Sequence, residues 1–195
     1  MKIILDETDR SEILRYLGYR GSEITEVVEN KIGEAMRLAN DIITPRSVWR
    51  LFSITKKEEG LSLNGTDVCL EGESIKKHLE GFDRVILFCV TIGSDFDRET
   101  EKRMVTDPTL AVILNACGIQ AVEKTADALQ KEIEEELSEK TGIRFSPGYG
   151  DMPLHSQEDF IRLLNTERRI GVSLNRNDLM APLKSVTAVC GIREI

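Results

Sequence analysis

One segment constrains the fold of this chain more than any other, the apolar run VILFCV at residues 85–90. A run of this kind within residues 84–91 is typical of a central β-strand that is covered on both faces, and it is far too short to cross a bilayer. The N-terminal sequence MKIILDE lacks the long apolar core and the cleavage site of a signal peptide. We therefore predict a cytoplasmic protein, without membrane association, built around a buried sheet.

Helical and strand patterns interleave along the rest of the chain. Apolar residues at helical spacing predict helices at 8–17, from Ser22 to before Pro45, and then at 74–79, 96–104, 109–139 and 156–165. Period-two patterns predict strands at 48–55, 61–70 and 184–192. The last of the helices carries a capping pattern, Ser156-x-x-Asp159, and Asn64-Gly65 is a turn signal. These elements predict an α+β fold, a single domain of residues 1–195 whose twisted, mainly antiparallel or mixed sheet is flanked by helices.

Composition excludes several classes of function. The 195 residues include 34 acidic and 26 basic side chains, a net charge of −8, which argues against nucleic-acid binding because that affinity depends on Lys and Arg. The four cysteines are far apart and form no C-x-x-C pair, so we expect buried free thiols rather than a zinc or redox site, at Cys69, Cys89, Cys117 and Cys190.

The chemistry is concentrated in a glycine-rich loop at residues 144–155. Arg144 offers a fork of N–H donors for a carboxylate or phosphate. Gly148 permits close approach to the backbone, and Tyr149 can stack on a heteroaromatic ring. The loop therefore suits a zwitterionic ligand with an aromatic end. The alternative is a tight structural loop with Tyr149 in the core and Arg144 paired to an acid.

Two carboxylates on the predicted long helix precede this loop. Glu123 and Asp127 lie four residues apart, on one face of the helix. Either one can meet the ammonium group or the ribose hydroxyls of a ligand. The alternative is a pair of acids on a solvated helix surface.

At this loop the chain resembles a known family. The segment GIRFSPGY, followed by Pro153 and His155, is similar to the pattern G-I-R-x-x-P-G-Y-x-x-x-P-x-H, which is the S-adenosylmethionine-binding segment of the cobalamin-dependent methionine synthase activation domain. The helix around residues 121–128 and the final strand, with KSVTAV at 184–189, resemble the family's flanking elements in the same order. The resemblance divides the chain into an N-terminal part, 1–105, and a ligand-binding part, 106–195.

The resemblance implies roles for single residues. Arg144 would bind the ligand carboxylate, Ser146 and Gly148 would offer backbone contacts, and Tyr149 would pack on the ligand. Asp127 aligns best with the family's helix acid, and Glu123 is second. The sequence departs from the family at Val186, where larger members carry a tyrosine, so one ligand contact is lost.

The resemblance also implies a function. It predicts an S-adenosylmethionine-binding reactivation subunit that supports reductive methylation of cob(II)alamin on a separate cobalamin-dependent methionine synthase, with a flavodoxin-like protein or another reductant. Because the chain has no D-x-H-x-x-G element, we expect it to meet cobalamin only through that partner. The role would be to orient a methyl donor, and no catalytic base is required. Two alternatives stay open: a corrinoid-protein interaction module with weak or no ligand binding, and a reactivator of another corrinoid methyltransferase.

Overall fold

The computed structural model describes residues 1–19, 21 and 24–194. The helices are α1 (Arg10–Tyr16), α2 (Glu26–Ile42), α3 (Glu73–His78), α4 (Ser94–Thr106), α5 (Pro108–Leu137), α6 (Gln157–Leu164) and α7 (Thr166–Ile170). The strands are β1 (Arg46–Lys56), β2 (Gly60–Leu63), β3 (Cys69–Glu71), β4 (Arg84–Thr91), β5 (Glu139–Thr141), β6 (Ser173–Leu174), β7 (Met180–Ala181) and β8 (Ser185–Glu194). Within these described ranges, no helix is long and apolar enough to cross a membrane.

Six strands form one sheet in the order β3-β2-β1-β4-β8-β5, and every neighbouring pair is antiparallel. The predicted α+β class and antiparallel sheet are therefore confirmed. The apolar run lies in β4, between β1 and β8. The sheet joins both parts of the chain, because β4 comes from residues 1–105 and β8 from 106–195.

Both faces of the sheet are covered, as the apolar run predicts. Ile86, Phe88 and Val90 point into a core cluster with α1, α2 and α5. The alternate residues of β4 point to the other face, where Val85, Leu87 and Cys89 pack in a second cluster with α3, α6 and α7. All of β4 from Val85 to Thr91 is buried, so this strand has no solvated face.

Several predicted boundaries of helices and strands differ from those in the structure. The long helix ends at Leu137 and not at residue 139, because Ser138 adopts a left-handed conformation with φ of 55° and Glu139 begins β5. The predicted strand 61–70 is split into β2 and β3 by the turn at Gly65. Ser156 makes no side-chain capping bond, and Asp159 pairs with Arg162 instead.

Other predictions at the ends of elements turn out differently. Ser22, the predicted start of the second helix, lies outside the described residues, and α2 begins at Glu26 with Thr25 as its capping residue. His78, at the end of α3, is half-buried and contacts Ile143 and Phe145. Three cysteines are buried and Cys69 is partly so, all four as free thiols.

The end of α5 is tied to β5 by one carboxylate. Glu134 accepts from the Lys140 ammonium at 2.8 Å, from the Thr141 N–H at 2.9 Å and from the Thr141 hydroxyl at 2.8 Å. The bond to Lys140, followed by the two from Thr141, lowers the pKa of Glu134 from its ordinary value of 4.5 to about 2.

Glu134 should therefore make stability depend on acidity. A carboxyl with a lowered folded-state pKa stabilises the fold above its unfolded value and loses that effect as the pH falls. We expect Glu134→Gln to lower the free energy of unfolding at pH 7 by about 1 kcal/mol, after allowing for solvent screening. The difference from wild type should disappear between pH 4.5 and about 2 in urea titrations. Glu136→Gln, at an exposed position on the same helix, is the control and should show no such trend.

Candidate ligand-binding site

The glycine-rich loop begins as a continuation of the sheet edge. Gly142 donates its N–H to the Gly191 carbonyl at 2.8 Å, and Phe145 exchanges two backbone hydrogen bonds with Val189 at 2.9 and 2.8 Å. Extending this register by two residues would pair Pro147 with Thr187, the next outward-facing position on β8. Because proline has no N–H, it cannot continue the ladder. The loop separates from β8 at this point, and a cleft opens between them.

The backbone of Thr187 faces this cleft. The Lys184 carbonyl accepts from Ile92 on the β4 side, whereas Val189 bonds to the loop on the opposite side. Hydrogen-bonding direction alternates along an antiparallel strand, so Thr187 shares the outward direction of Val189. Its N–H donor and carbonyl acceptor are therefore directed toward the cleft.

The cleft has a volume of about 530 Å³ and is bounded by elements distant in sequence. Its walls come from α5, the loop, the start of α6, β7 and the first three residues of β8. The lining residues are Glu123, Asp127, Gln130, Ile143, Arg144, Ser146, Pro147, Tyr149, Gln157, Met180, Ser185, Val186 and Thr187. The structure therefore brings together five of the six predicted site residues. Gly148 is absent from the walls, since its N–H is bonded to the Met152 carbonyl at 3.0 Å within the turn.

Arg144 is the electrostatic centre of the cleft. Its Nη1 donates to Asp127 Oδ1 at 2.6 Å and to Gln130 Oε1 at 2.9 Å, and its Nη2 donates to Glu123 Oε2 at 2.9 Å. A guanidinium carries five N–H donors, so Nε–H and one N–H of Nη2 are left over from these three bonds. The cluster holds two carboxylates and one guanidinium, a net charge of −1.

Gln130 orients Arg144 and was missed by the sequence analysis. Its Nε2 donates to Thr141 Oγ1 at 2.9 Å and to the Gly142 carbonyl at 3.2 Å, so the amide group ties α5 to the start of the loop. Its Oε1 is thereby turned toward the guanidinium. The signal was present in the spacing, because residues 123, 127 and 130 follow one helical face.

Tyr149 and Val186 lie at different depths of the cleft. Tyr149 is 60% exposed at the rim and meets Phe145 edge-on, with ring centroids 6.0 Å apart. The alternative of a structural loop therefore holds for Arg144, which is paired to acids, but not for Tyr149, which is outside the core. Val186 is half-buried in the wall of the cleft.

The cleft contains polar groups that no local pattern predicts. Gln157 is 5% exposed, donates to the Asp178 carbonyl at 2.9 Å and accepts from the Thr187 hydroxyl at 3.5 Å. It reaches the cleft because α6 packs on the face of the sheet, against β4 and β1. Cys190 lies 3.6 Å from Gln130, and burial raises the pKa of its thiol to about 12, so it is not a nucleophile.

Comparison with known proteins gives the site a context. The family model for the activation domain of vitamin B12-dependent methionine synthase matches residues 30–193. The crystal structure of the MetH reactivation domain bound to AdoHcy resembles the chain with a TM-score of 0.69 and 18% identity, covering 94% of this chain and 73% of that one. No curated protein matches. The likeness in structure establishes the fold, and the family model covers most of the sequence.

Arg144 should contribute little to stability despite its three partners. Asp127 is 69% exposed and Glu123 is 40% exposed, and ion pairs at such positions are worth at most about 1 kcal/mol. We expect Arg144→Ala to lower the free energy of urea unfolding by about 1 kcal/mol or less. Phe160→Ala, which truncates a fully buried ring, should cost about 3–5 kcal/mol. A loss of several kcal/mol in Arg144→Ala would contradict this view of the cluster.

Proposed function

The chain belongs to the activation-domain family of vitamin B12-dependent methionine synthase, and we propose that it binds S-adenosylmethionine in the cleft beside Arg144. Family membership supports a role in reactivation of such a synthase. The finer proposal is that residues 1–195 act as one separate subunit, which holds the methyl donor for reductive methylation of cob(II)alamin on a partner that carries the cobalamin.

The charge pattern around Arg144 is the observation that carries this proposal. The amino-acid end of S-adenosylmethionine has a carboxylate, an ammonium and a sulfonium. The two remaining donors of Arg144 suit the carboxylate, while Asp127 and Glu123 suit the cationic groups. The cluster's net charge of −1 complements the ligand's net charge of +1.

The remainder of the cleft suits the adenosine end. Tyr149 offers an exposed ring at the rim for stacking. Thr187 offers a backbone donor and acceptor, the pair that an adenine edge requires. Ser146 lines the cleft and offers backbone contacts from the loop, whereas Gly148, with φ of +86°, serves the turn.

The chain's own task in this scheme is positioning. The partner's corrinoid supplies the cobalt that accepts the methyl group, and a flavodoxin-like protein or another reductant supplies the electron. The residues of the cleft hold the donor and exclude water, and orientation of this kind contributes to rate without a general base.

Exposed apolar side chains in the walls of the cleft, and others close to its lining residues, support docking of the partner there. Ile143 (80% exposed) and Tyr149 line the cleft, Leu154 lies beside Gly148 of the loop, and the exposed Leu179 and Leu183 are each within two residues of a lining residue in sequence; we refer to these five side chains as the rim. Apolar groups clustered around an opening are typical of a surface that another protein covers. A partner seated on this rim would bring its corrinoid to the mouth of the cleft.

One observation favours a second candidate. Val186 stands in the wall without an aromatic ring, so the cleft has one fewer ligand contact than the family pattern offers. This favours an interaction module for a corrinoid protein with weak or no binding of S-adenosylmethionine. The same rim would also serve a reactivator of a different corrinoid methyltransferase.

Calorimetric titration with S-adenosylmethionine tests ligand binding. We expect saturable binding by the wild type and a loss of about 10- to 100-fold in affinity for Arg144→Ala, since charge-assisted hydrogen bonds are removed. Arg162→Ala is a matched control, because Arg162 also pairs with two acids, Asp67 and Asp159, outside the cleft walls. Absence of heat from folded wild type at millimolar ligand would favour the interaction module.

Reactivation of a cob(II)alamin-bearing synthase that lacks its own activation domain tests the role of the rim. With reductant and S-adenosylmethionine present, the wild type should restore turnover. Leu183→Asp should reduce this at least about tenfold and leave ligand affinity unchanged, because it places a charge in the contact surface. Val105→Asp, at an 86% exposed position on α4, should be silent. Full reactivation by Leu183→Asp would place the docking surface elsewhere.

A further inference from the structure

The short helix α3 contacts the glycine-rich loop at both of its ends. At the start of α3, Asp151 accepts from the Glu73 N–H at 2.8 Å and from the Ser74 N–H at 2.9 Å. The residue that precedes the helix is Gly72, which has no side chain to cap it. The missing cap therefore comes from the loop, more than 70 residues away in sequence.

The other end of α3 holds the beginning of the loop. His78 Nε2 donates to the Ile143 carbonyl at 2.9 Å, and its ring lies 4.9 Å from the ring of Phe145. These contacts fall on the two neighbours of Arg144. The Phe145 ring in turn contacts the Tyr149 ring. His78 therefore supports the positions of both Arg144 and Tyr149, the two side chains proposed to contact opposite ends of the ligand.

The contact between α3 and the loop leaves no room for added atoms. A Cβ at Gly150 would overlap the Ser74 side chain, and a Cβ at Gly72 would lie 2.7 Å from Asp151 Oδ1. Both glycines also have positive φ, +57° and +118°. The close approach of Ser74 explains why residue 150 is a glycine in this chain, although the family pattern does not fix the residue at that position.

The helix itself is firmly held. Ile75 within it and Leu79 just after it are fully buried in the second core cluster. A support of this kind limits the movement of whatever is fastened to it.

We propose that α3 is a clamp that sets the position of the loop, with His78 and Asp151 as the positioning residues. They bracket the segment that carries Arg144, Ser146 and Tyr149, and neither lines the cleft. The N-terminal part of the chain thereby controls a site whose lining residues all come from the C-terminal part. This inference rests on the proposed function, since its consequence is a change in affinity for the ligand.

Titration with S-adenosylmethionine and amide hydrogen exchange test the clamp together. His78→Ala and Asp151→Ala should each weaken binding by about tenfold, the effect expected when a positioning hydrogen bond is lost. Each should also speed exchange at the amides of residues 143–151 relative to the wild type, before ligand is added. Lys77→Ala, an exposed position in the same helix, is the control and should change neither readout.

Conservative variants separate positioning from a general loss of structure. His78→Gln keeps a side-chain N–H donor and Asp151→Asn keeps an acceptor, so both should recover most of the lost affinity. Wild-type affinity and exchange in folded His78→Ala and Asp151→Ala would overturn the clamp. If the wild type itself does not bind S-adenosylmethionine, the proposed function fails, while loop exchange in the same variants still decides whether α3 holds the loop.

Discussion

The pair of backbone hydrogen bonds between Phe145 and Val189 is the constraint on which the site depends. This pair extends the β5 edge of the sheet by one antiparallel bridge. It also determines toward which face of the sheet each loop side chain points. Phe145 is directed into the core cluster beneath the sheet, so its neighbour Arg144 is directed to the opposite side, where α5 runs. The next step of such a ladder would fall on Pro147, which has no N–H to donate. The cleft exists because pairing holds at one position and stops two residues later.

In this arrangement a partly buried arginine is held by exposed carboxylates from which we expect little stabilisation of the fold. Its partners Asp127 and Glu123 stand on the exposed flank of a helix whose other face is deep in the core. Gln130 is different, since it also anchors the start of the loop. The Gln130 amide fixes the direction of the Arg144 guanidinium. The two carboxylates place negative charge beside this positive charge at the wall of the cleft. A zwitterion entering the cleft would therefore find a preset pattern of charge and would not have to create it.

Sequence patterns anticipated the elements whose signal is local. The apolar run predicted β4, and helical spacing placed Glu123 and Asp127 on one face, beside which the structure puts Arg144. What the patterns missed depends on contacts between distant segments. The strand at Glu139 is made by pairing with β8, and the role of Gln157 follows from the packing of α6. Ser156 carried the spacing of a cap but makes no capping bond, because the chain enters α6 from a 3-10 turn with helical backbone angles already in place. A capping side chain requires an extended residue at that point.

The glycine-rich loop shows how one motif can combine two physical demands. Arg144, Pro147 and Tyr149 shape the opening, but Gly150 and Asp151 are explained by α3 alone, since a side chain at the first would collide and the second caps the helix. A helix of six residues ending in a histidine is weak in isolation. Here the core holds it through Ile75 and Leu79, and the loop supplies the cap it lacks. Helix α3 and the loop therefore stabilise each other. The position of Arg144 depends on α3, although α3 contributes no residue to the walls of the cleft.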